Sequence, residues 1–310
     1  MLDFATQLFI RFNDTRVHTY TAKKLIFNEL VFTVNQRLFM RNRVFWKVII
    51  LFSFSFSFYQ SSAEISLCSW NLKDFGKTKD PTEIKFIATT IKEYDIIAIQ
   101  EVVAGDGGAQ AVARLSDQLN RMGANWEYVI SDPTSGSNKK ERYAFIWKTS
   151  RIQSIGKAWL DIKYGDEIER EPFFITIKAD GKIVTLCNFH AITKSMHPET
   201  EVKYFKFIPK DHPDKNIIFC GDFNLPQSHT VFNPLKSMGF KPALELQKTS
   251  LRQACINDDC LASEYDNVFF DGRKVKVIKA DIIHFYLNFA SIKDALMISD
   301  HVPVVFRFSI

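Results

Sequence analysis

The strongest constraint on this chain is the placement of its chemically competent residues. They fall in seven short motifs, and most of these come directly after a β-rich apolar run. In order they are Trp70-Asn71, Gln100-Glu101-Val102, Lys140-Glu141-Arg142-Tyr143, Asn188-Phe189-His190, Gly221-Asp222-Phe223-Asn224, Tyr265-Asp266 and Ser299-Asp300-His301. Side chains at strand ends that are far apart in sequence can be gathered along one edge of a sheet. Carboxylates, amides and imidazoles gathered in that way have the groups needed for metal-assisted hydrolysis of a phosphate ester.

The folded domain is expected to begin well inside the chain. After Met40 come Arg41, Arg43 and Lys47, then an apolar stretch over 48–59 broken only by Ser, then Ser61-Ser62-Ala63. A basic start, a short apolar core and a small-residue exit form a secretory signal peptide, here 40–63. The stretch is shorter than the roughly 20 apolar residues a spanning helix needs. Residues 1–39 carry no amphipathic period and no catalytic motif, and are read as an over-long gene model or an unstructured leader. The mature chain is therefore expected to cover 64–310, secreted or periplasmic, with no membrane insertion after cleavage.

This placement changes the charge argument. The whole chain has 40 Lys/Arg against 35 Asp/Glu, but 1–63 holds eight of the former and three of the latter, which leaves 32 of each. The basic balance belongs to the leader, so bulk charge gives no evidence for nucleic-acid binding. Any polyanion must be held by a local patch and a cation. The five cysteines all lie beyond the leader. Cys255 and Cys260 flank a polar turn and could close a small loop in an oxidising compartment, whereas Cys68, Cys187 and Cys220 lie in apolar runs and read as buried thiols. No Cys-x-x-Cys pair or His/Cys cluster points to zinc.

Short, β-branched or aromatic, turn-bounded runs predict strands over 64–70, 95–100, 126–131, 143–148, 173–179, 182–189, 216–220, 267–270 and 303–308. Helical periods appear over 82–92 and 109–122, the second with Val112, Leu115, Leu119 and Met122 on one face. Strands with interspersed helices on outer faces imply an α/β sandwich in a single domain.

Individual residues sharpen the chemistry. Glu101 follows a buried apolar run and offers a hard oxygen ligand, which suits magnesium. His190 and His301 titrate near neutrality and can move protons. Asp222 can bind a metal or orient water, and Asn224 can donate to a phosphoryl oxygen as its charge grows. Gly221 permits a tight bend there. Arg170 is expected to clamp phosphate through its guanidinium fork.

Several runs extend beyond single catalytic residues: the segment from Trp70-Asn71-Leu72-Lys73-Asp74-Phe75-Gly76 to Lys77-Thr78-Lys79, Lys140-Glu141-Arg142-Tyr143, Arg170-Glu171-Pro172, Gly221-Asp222-Phe223-Asn224, and Ile298-Ser299-Asp300-His301 before Pro303. On these the chain from about residue 64 onward resembles the endonuclease/exonuclease/phosphatase superfamily, and within it the secreted deoxyribonuclease I enzymes. The resemblance implies a four-layer α/β/β/α sandwich with two packed mixed β-sheets. It also implies an endonuclease that hydrolyses DNA phosphodiester bonds as a monomer, with RNA as a second substrate. Magnesium is the implied cofactor, with manganese able to substitute, held by Glu101, Asn71 and Asp300, and Asn71 is also implied in phosphate binding. Glu141 is implied as the partner of His190, the acid, and Asp266 as the partner of His301, the base. Asp222 stays open as an alternative base.

The chain departs from the deoxyribonuclease I pattern in two places. Val103 stands where an Arg is expected to enter the minor groove, and Lys139 where its aromatic partner is expected. The calcium loop of those enzymes is not apparent either, so structural calcium is not expected. The competing readings are a phosphatase or phospholipase of the inositol phosphatase or sphingomyelinase type, and a nuclease-like toxin subunit.

Overall fold

The computed structural model describes residues 64–137 and 139–310; the expected signal peptide and the segment 1–39 lie outside the described residues. Two six-stranded sheets carry the domain. The first, in the spatial order β13-β14-β1-β2-β4-β3, comprises β1 (Ile65–Phe75), β2 (Ile96–Val103), β3 (Trp126–Ile130), β4 (Glu141–Lys148), β13 (Lys276–Ile282) and β14 (Val304–Ser309). The second, β5-β6-β7-β8-β12-β9, comprises β5 (Gln153–Leu160), β6 (Phe173–Ala179), β7 (Lys182–His190), β8 (Ile217–Asp222), β9 (Phe240–Pro242) and β12 (Asp266–Asp271). A two-stranded ribbon, β10 (Leu251–Ile256) and β11 (Asp259–Leu261), stands apart from both.

Each large sheet is mixed in the same way. One central pair is parallel, β1 with β2 and β7 with β8, and the remaining pairs are antiparallel. A parallel pair needs a crossover. Helix α1 (Pro81–Ile91) makes the first one. Its start is specified locally: the Asp80 side chain accepts from Glu83 N at 2.8 Å, Glu83 Oε2 accepts from Asp80 N at 2.8 Å, and Pro81 occupies the first turn. Ile84, Ile87, Ala88 and Ile91 form its buried face. Helix α2 (Asp106–Asn120) buries Ala111, Val112, Leu115 and Leu119. These residues and the apolar side chains of both sheets form one continuous core, running from Trp70, Ile97 and Phe145 to Ile175, Leu186 and Val268. Phe174, Phe189, Phe219 and Phe269 point to the other side of the second sheet. There they meet Phe205, Ile208 and Phe232 of the short helical segments that cover it. With helices outside each sheet and the sheets face to face, the result is the α/β/β/α sandwich.

The predicted strands and both helices are present; the strands that escaped prediction are weakly apolar ones. β5 and β13 are edge strands, β5 mostly half-buried and β13 mostly exposed, and β13 carries Lys276, Lys279 and Asp281. Charge on an edge strand discourages pairing with another chain, and it also erases the apolar alternation that reveals a strand. Cys255 and Cys260 form a disulfide across the β10–β11 ribbon, and the three other cysteines are buried. Among the described residues no helix is long and apolar enough to cross a membrane.

Strands β1, β2 and β8 run further than expected; Asn71 and Glu101 lie within strand ends, and Asp222 ends β8 rather than standing in the turn after it. Gly221 is thus a strand residue, and it is needed for a reason other than a tight bend. Its φ is +135°, and a Cβ there would come 1.9 Å from Phe189 O of the neighbouring strand. Both the dihedral and the close backbone approach exclude larger residues. Gly221→Ala is expected to destabilise the domain by about 3 kcal/mol or more, measured by urea unfolding. A loss under about 0.5 kcal/mol, the range of an ordinary surface change, would show that the backbone can relax there.

Candidate active site

The two parallel pairs direct the C-terminal ends of β1, β2, β7 and β8 to one edge of the sandwich, and their antiparallel neighbours begin there. Asn71 and Glu101 come from the first sheet's parallel pair, and His190 and Asp222 are the last residues of β7 and β8. Glu141 opens β4, Asp266 opens β12, and His301 precedes β14, bridged to Ser250. Carboxyl ends of strands are where α/β sheets place ligand sites.

Five of these residues form an alternating chain of acids and imidazoles. His190 Nδ1 donates to Glu141 at 2.9 Å, and His301 Nδ1 donates to Asp266 Oδ2 at 2.7 Å. Between the two rings lies Asp222, with Oδ2 3.5 Å from His190 Nε2 and 3.6 Å from His301 Nε2. All five are buried, His301 being the most accessible at 9%. Burial opposes the charged form of each ring. At His190 the Glu141 carboxylate outweighs it and raises proton affinity above that of free imidazole. At His301, Asp266 and Asp222 together raise it further. Burial also drives the Asp266 carboxyl upward, to about 6, against the opposing pull of His301.

Glu101 approaches the same edge from the other sheet. The register of β2 shifts between Ile99 and Val102, and Glu101 takes a φ of +59° at the shift. A bulge with left-handed backbone at a non-glycine residue is strained, and it re-aims the side chain out of the sheet's alternation. Asn71 Nδ2 donates to Glu101 Oε1 at 2.9 Å and to Asp222 Oδ2 at 3.2 Å, so one amide ties both carboxylates together. Burial alone would raise the Glu101 carboxyl; His190, Lys139 and hydrogen bonds from Asn71 and Asp74 outweigh it and hold it at about 2. A permanently ionised, amide-oriented oxygen donor fits a hard divalent cation. Asp222, Asp266 and His301 form a second candidate set, with ligand atoms within 4.8 Å of one another. Two of its three members already hydrogen-bond each other.

Two residues singled out in the sequence make contacts that their expected roles did not specify. Arg170, expected as a phosphate clamp, is 5% exposed and lies behind His190. Nε donates to His190 O at 3.0 Å, Nη2 to Ala191 O, and Nη1 reaches Glu141 Oε2 at 3.3 Å. Its fork is spent on the Glu141–His190 pair, because β7 ends where the guanidinium enters. Asp300, expected with Glu101 and Asn71 to hold the cation, pairs with Lys73 at 3.3 Å. Asn224 closes the turn after β8: its N donates to Asp222 Oδ1 at 2.9 Å and Nδ2 to Ala191 O at 3.0 Å.

Some supporting residues had no role assigned from the sequence. Thr249, fully buried, donates Oγ1 to Asp266 Oδ2 at 2.7 Å and accepts from Asp266 N at 2.8 Å. It lies 17 residues before Asp266, with no local pattern linking the two. Lys79 reaches Met297 O and Ile298 O at 2.5 and 2.7 Å, fixing the end of the helix Ile292–Ile298 that leads to His301. Ser299 was visible in its motif; Oγ donates to Asn71 O at 2.6 Å and accepts from His301 N at 3.1 Å.

Comparison with known proteins agrees with this architecture. The model of a family described as Endonuclease/Exonuclease/phosphatase matches residues 68–301. The chain is 26% identical over 276 residues to a Deoxyribonuclease of Thioalkalivibrio sp. (strain K90mix), covering 79% of this chain and 71% of that one. It is 26% identical over 262 residues to Deoxyribonuclease-1 of Canis lupus familiaris, covering 79% and 92%. Among solved structures, D. rerio TDP2 complexed with single strand DNA product superposes with a TM-score of 0.58 at 13% identity, covering 80% of this chain and 100% of that one. That likeness concerns the fold.

Removing Arg170 tests its placement. In Arg170→Leu the buried Glu141 carboxylate loses its cationic neighbour, which costs about 3–5 kcal/mol when a buried pair is broken. Urea unfolding should show that loss. An unchanged midpoint would return Arg170 to the role of an accessible clamp.

Proposed function

The chain belongs to the endonuclease/exonuclease/phosphatase family, a family of hydrolases, and from that premise we propose that it is a metal-dependent endonuclease hydrolysing DNA phosphodiester bonds. One observation carries the reading: the unbroken chain Glu141–His190–Asp222–His301–Asp266, with Asp222 tied through Asn71 to Glu101. The relatives named deoxyribonuclease support DNA as the substrate. Family members depend in general on a divalent cation. Glu101 and Asn71 would hold it here, and we assign it as magnesium with manganese able to substitute. When bound, such an ion neutralises charge developing on a phosphoryl oxygen.

The protein's own groups supply the remainder. His190, kept charged by Glu141, protonates the leaving oxygen, and Arg170 holds Glu141 in place from behind. Asp222 lies between the two rings and orients the attacking water. His301 receives the water's proton, with Asp266 fixing its tautomer and Thr249 fixing Asp266. Asn224 keeps one Nδ2 hydrogen beyond its bond to Ala191 O to offer a phosphoryl oxygen, whereas both of those on Asn71 hold Glu101 and Asp222.

Secretion belongs to the same proposal. The basic-apolar-small pattern of 40–63 supports it, and so does the Cys255–Cys260 disulfide, because such bonds persist in oxidising compartments.

The direct test is expression from Met40, which should export a product beginning near Glu64. That product is then incubated with plasmid, RNA, sphingomyelin and inositol phosphates, with magnesium and after chelation. Magnesium-dependent conversion of supercoiled plasmid to nicked and linear forms is expected. His190→Ala and His301→Ala should each lower turnover by about 10²–10⁴-fold. Hydrolysis of the lipid or the inositol phosphates in place of plasmid would make the chain a phospholipase or phosphatase on the same scaffold.

The raised proton affinity of His301 fixes the sign of the pH dependence. A base must lose its proton before it acts, so turnover should climb with pH through a midpoint above the 6.5 of an unshifted imidazole. Asp266→Asn removes the charge that raises it, and the climbing limb should move to lower pH while the plateau falls. A limb that stays in place in pH–rate profiles would show that another group accepts the proton.

A further inference from the structure

Lys139 stands on the strand-free segment before β4, and its ammonium reaches into the site. Nζ lies 2.7 Å from Asp74 Oδ1 and 3.2 Å from Glu101 Oε2. Glu101 is thereby fully engaged: Asn71 holds Oε1, while Asp74 N at 3.2 Å and Lys139 hold Oε2. The Glu101 side chain is 14% exposed, whereas those of Lys139 and Asp74 are 58% exposed, so the ammonium covers the carboxylate from the solvent side. A cation arriving from solvent meets a resident positive charge on the oxygen it needs. Asp74 gives that charge somewhere to stay when it yields Oε2, so Lys139 can give way without losing every partner.

We propose that Lys139 is a tethered counter-ion that competes with the divalent cation for Glu101 and so sets the cation concentration at which the site fills. This rests on the assignment of Glu101 as a cation ligand. Lys139 acts through Glu101 and is a positioning residue. An ammonium and a divalent cation repel each other, and at a partly solvated site the repulsion is screened. The competition therefore tunes affinity without abolishing binding.

The experiment is direct titration of the exported protein with manganese, reading free ion by electron paramagnetic resonance, with magnesium followed by calorimetry. Lys139→Met keeps the reach of the side chain and removes its charge; it should bind manganese about three- to ten-fold more tightly. Lys139→Arg keeps the charge and should stay near the unaltered protein, whereas a purely structural role for the lysine stem, which Met also keeps, would leave Lys139→Met unchanged as well. Glu101→Gln serves as the reference and should lose most of the binding. Unchanged or weaker binding in Lys139→Met, with Glu101→Gln defective, would overturn the competition while leaving the ligand assignment in place. Unchanged binding in Glu101→Gln would overturn both. The exposure of Lys139 leaves the fold unthreatened, and a thermal melt of each variant confirms it.

Discussion

One hydrogen-bonded contact between the two sheets sets the rest of the structure. Gln100 Nε2, from the first sheet, donates to Asn188 Oδ1 of the second at 2.6 Å and to Ser69 Oγ at 3.1 Å. Asn188 Nδ2 returns across the interface to Ile99 O at 3.0 Å. Apolar packing pulls sheets together but tolerates sliding, whereas buried amides lose their partners if one sheet moves against the other. Gln100 immediately precedes Glu101, and Asn188 lies two residues before His190. Locking the first pair therefore brings the second pair to the same edge. The lock has a cost, since Gln100 Oε1 is buried without a partner among the described residues.

The edge so defined concentrates features that oppose stability. Three carboxylates and two imidazoles are buried side by side, Glu101 is held at positive φ, and Gly221 adopts a conformation that only glycine tolerates. Buried charges are costly unless paired and hydrogen-bonded. Each acid here is paired: Glu141 with His190 and Arg170, Asp266 with His301 and Thr249, Asp222 with Asn71 and Asn224 N. The same pairing fixes ring orientation and proton affinity, so the electrostatics that keep the edge folded are also those that prepare it for acid–base work. The aromatic layer beneath the second sheet supplies compensating apolar burial. Phe189, Phe205, Phe219, Phe223 and Phe269 interlock there close behind His190 and Asp222.

Legibility followed burial. Strands covered on both faces, such as β7 and β8, announce themselves as apolar runs, and their last residues, His190 and Asp222, stand out as polar groups in an apolar context. Edge strands such as β13 do not, because only one face needs apolar side chains and charge on the other protects the edge. Within the site, groups in a short motif were legible, including Glu141, Asp266 and Ser299. Thr249 was not, and Lys79, though part of a quoted run, had no readable role, since each acts on a partner remote in sequence. Arg170 and Asp300 stood out as a phosphate clamp and a cation ligand, but their contacts with Glu141 and Lys73 were not readable from the sequence. A guanidinium that can clamp phosphate can equally hold a buried glutamate, and a carboxylate beside a histidine need not face the same way.

The sequence by itself determined the α/β class, the order of the strands that are buried and of the two longest helices, and the set of polar residues at strand ends. These follow from local periodicity, capping and turn chemistry, which act over a few residues. Only the tertiary structure decided that Asp222 stands between two imidazoles, that Arg170 faces inward, that Asp300 turns to Lys73, and that Lys139 covers Glu101. Those outcomes depend on distances between side chains from different strands, set by the inter-sheet register and by the bulge at Glu101. A strand's own residues fix which face each side chain takes. What stands opposite that face is fixed by the packing of the other sheet.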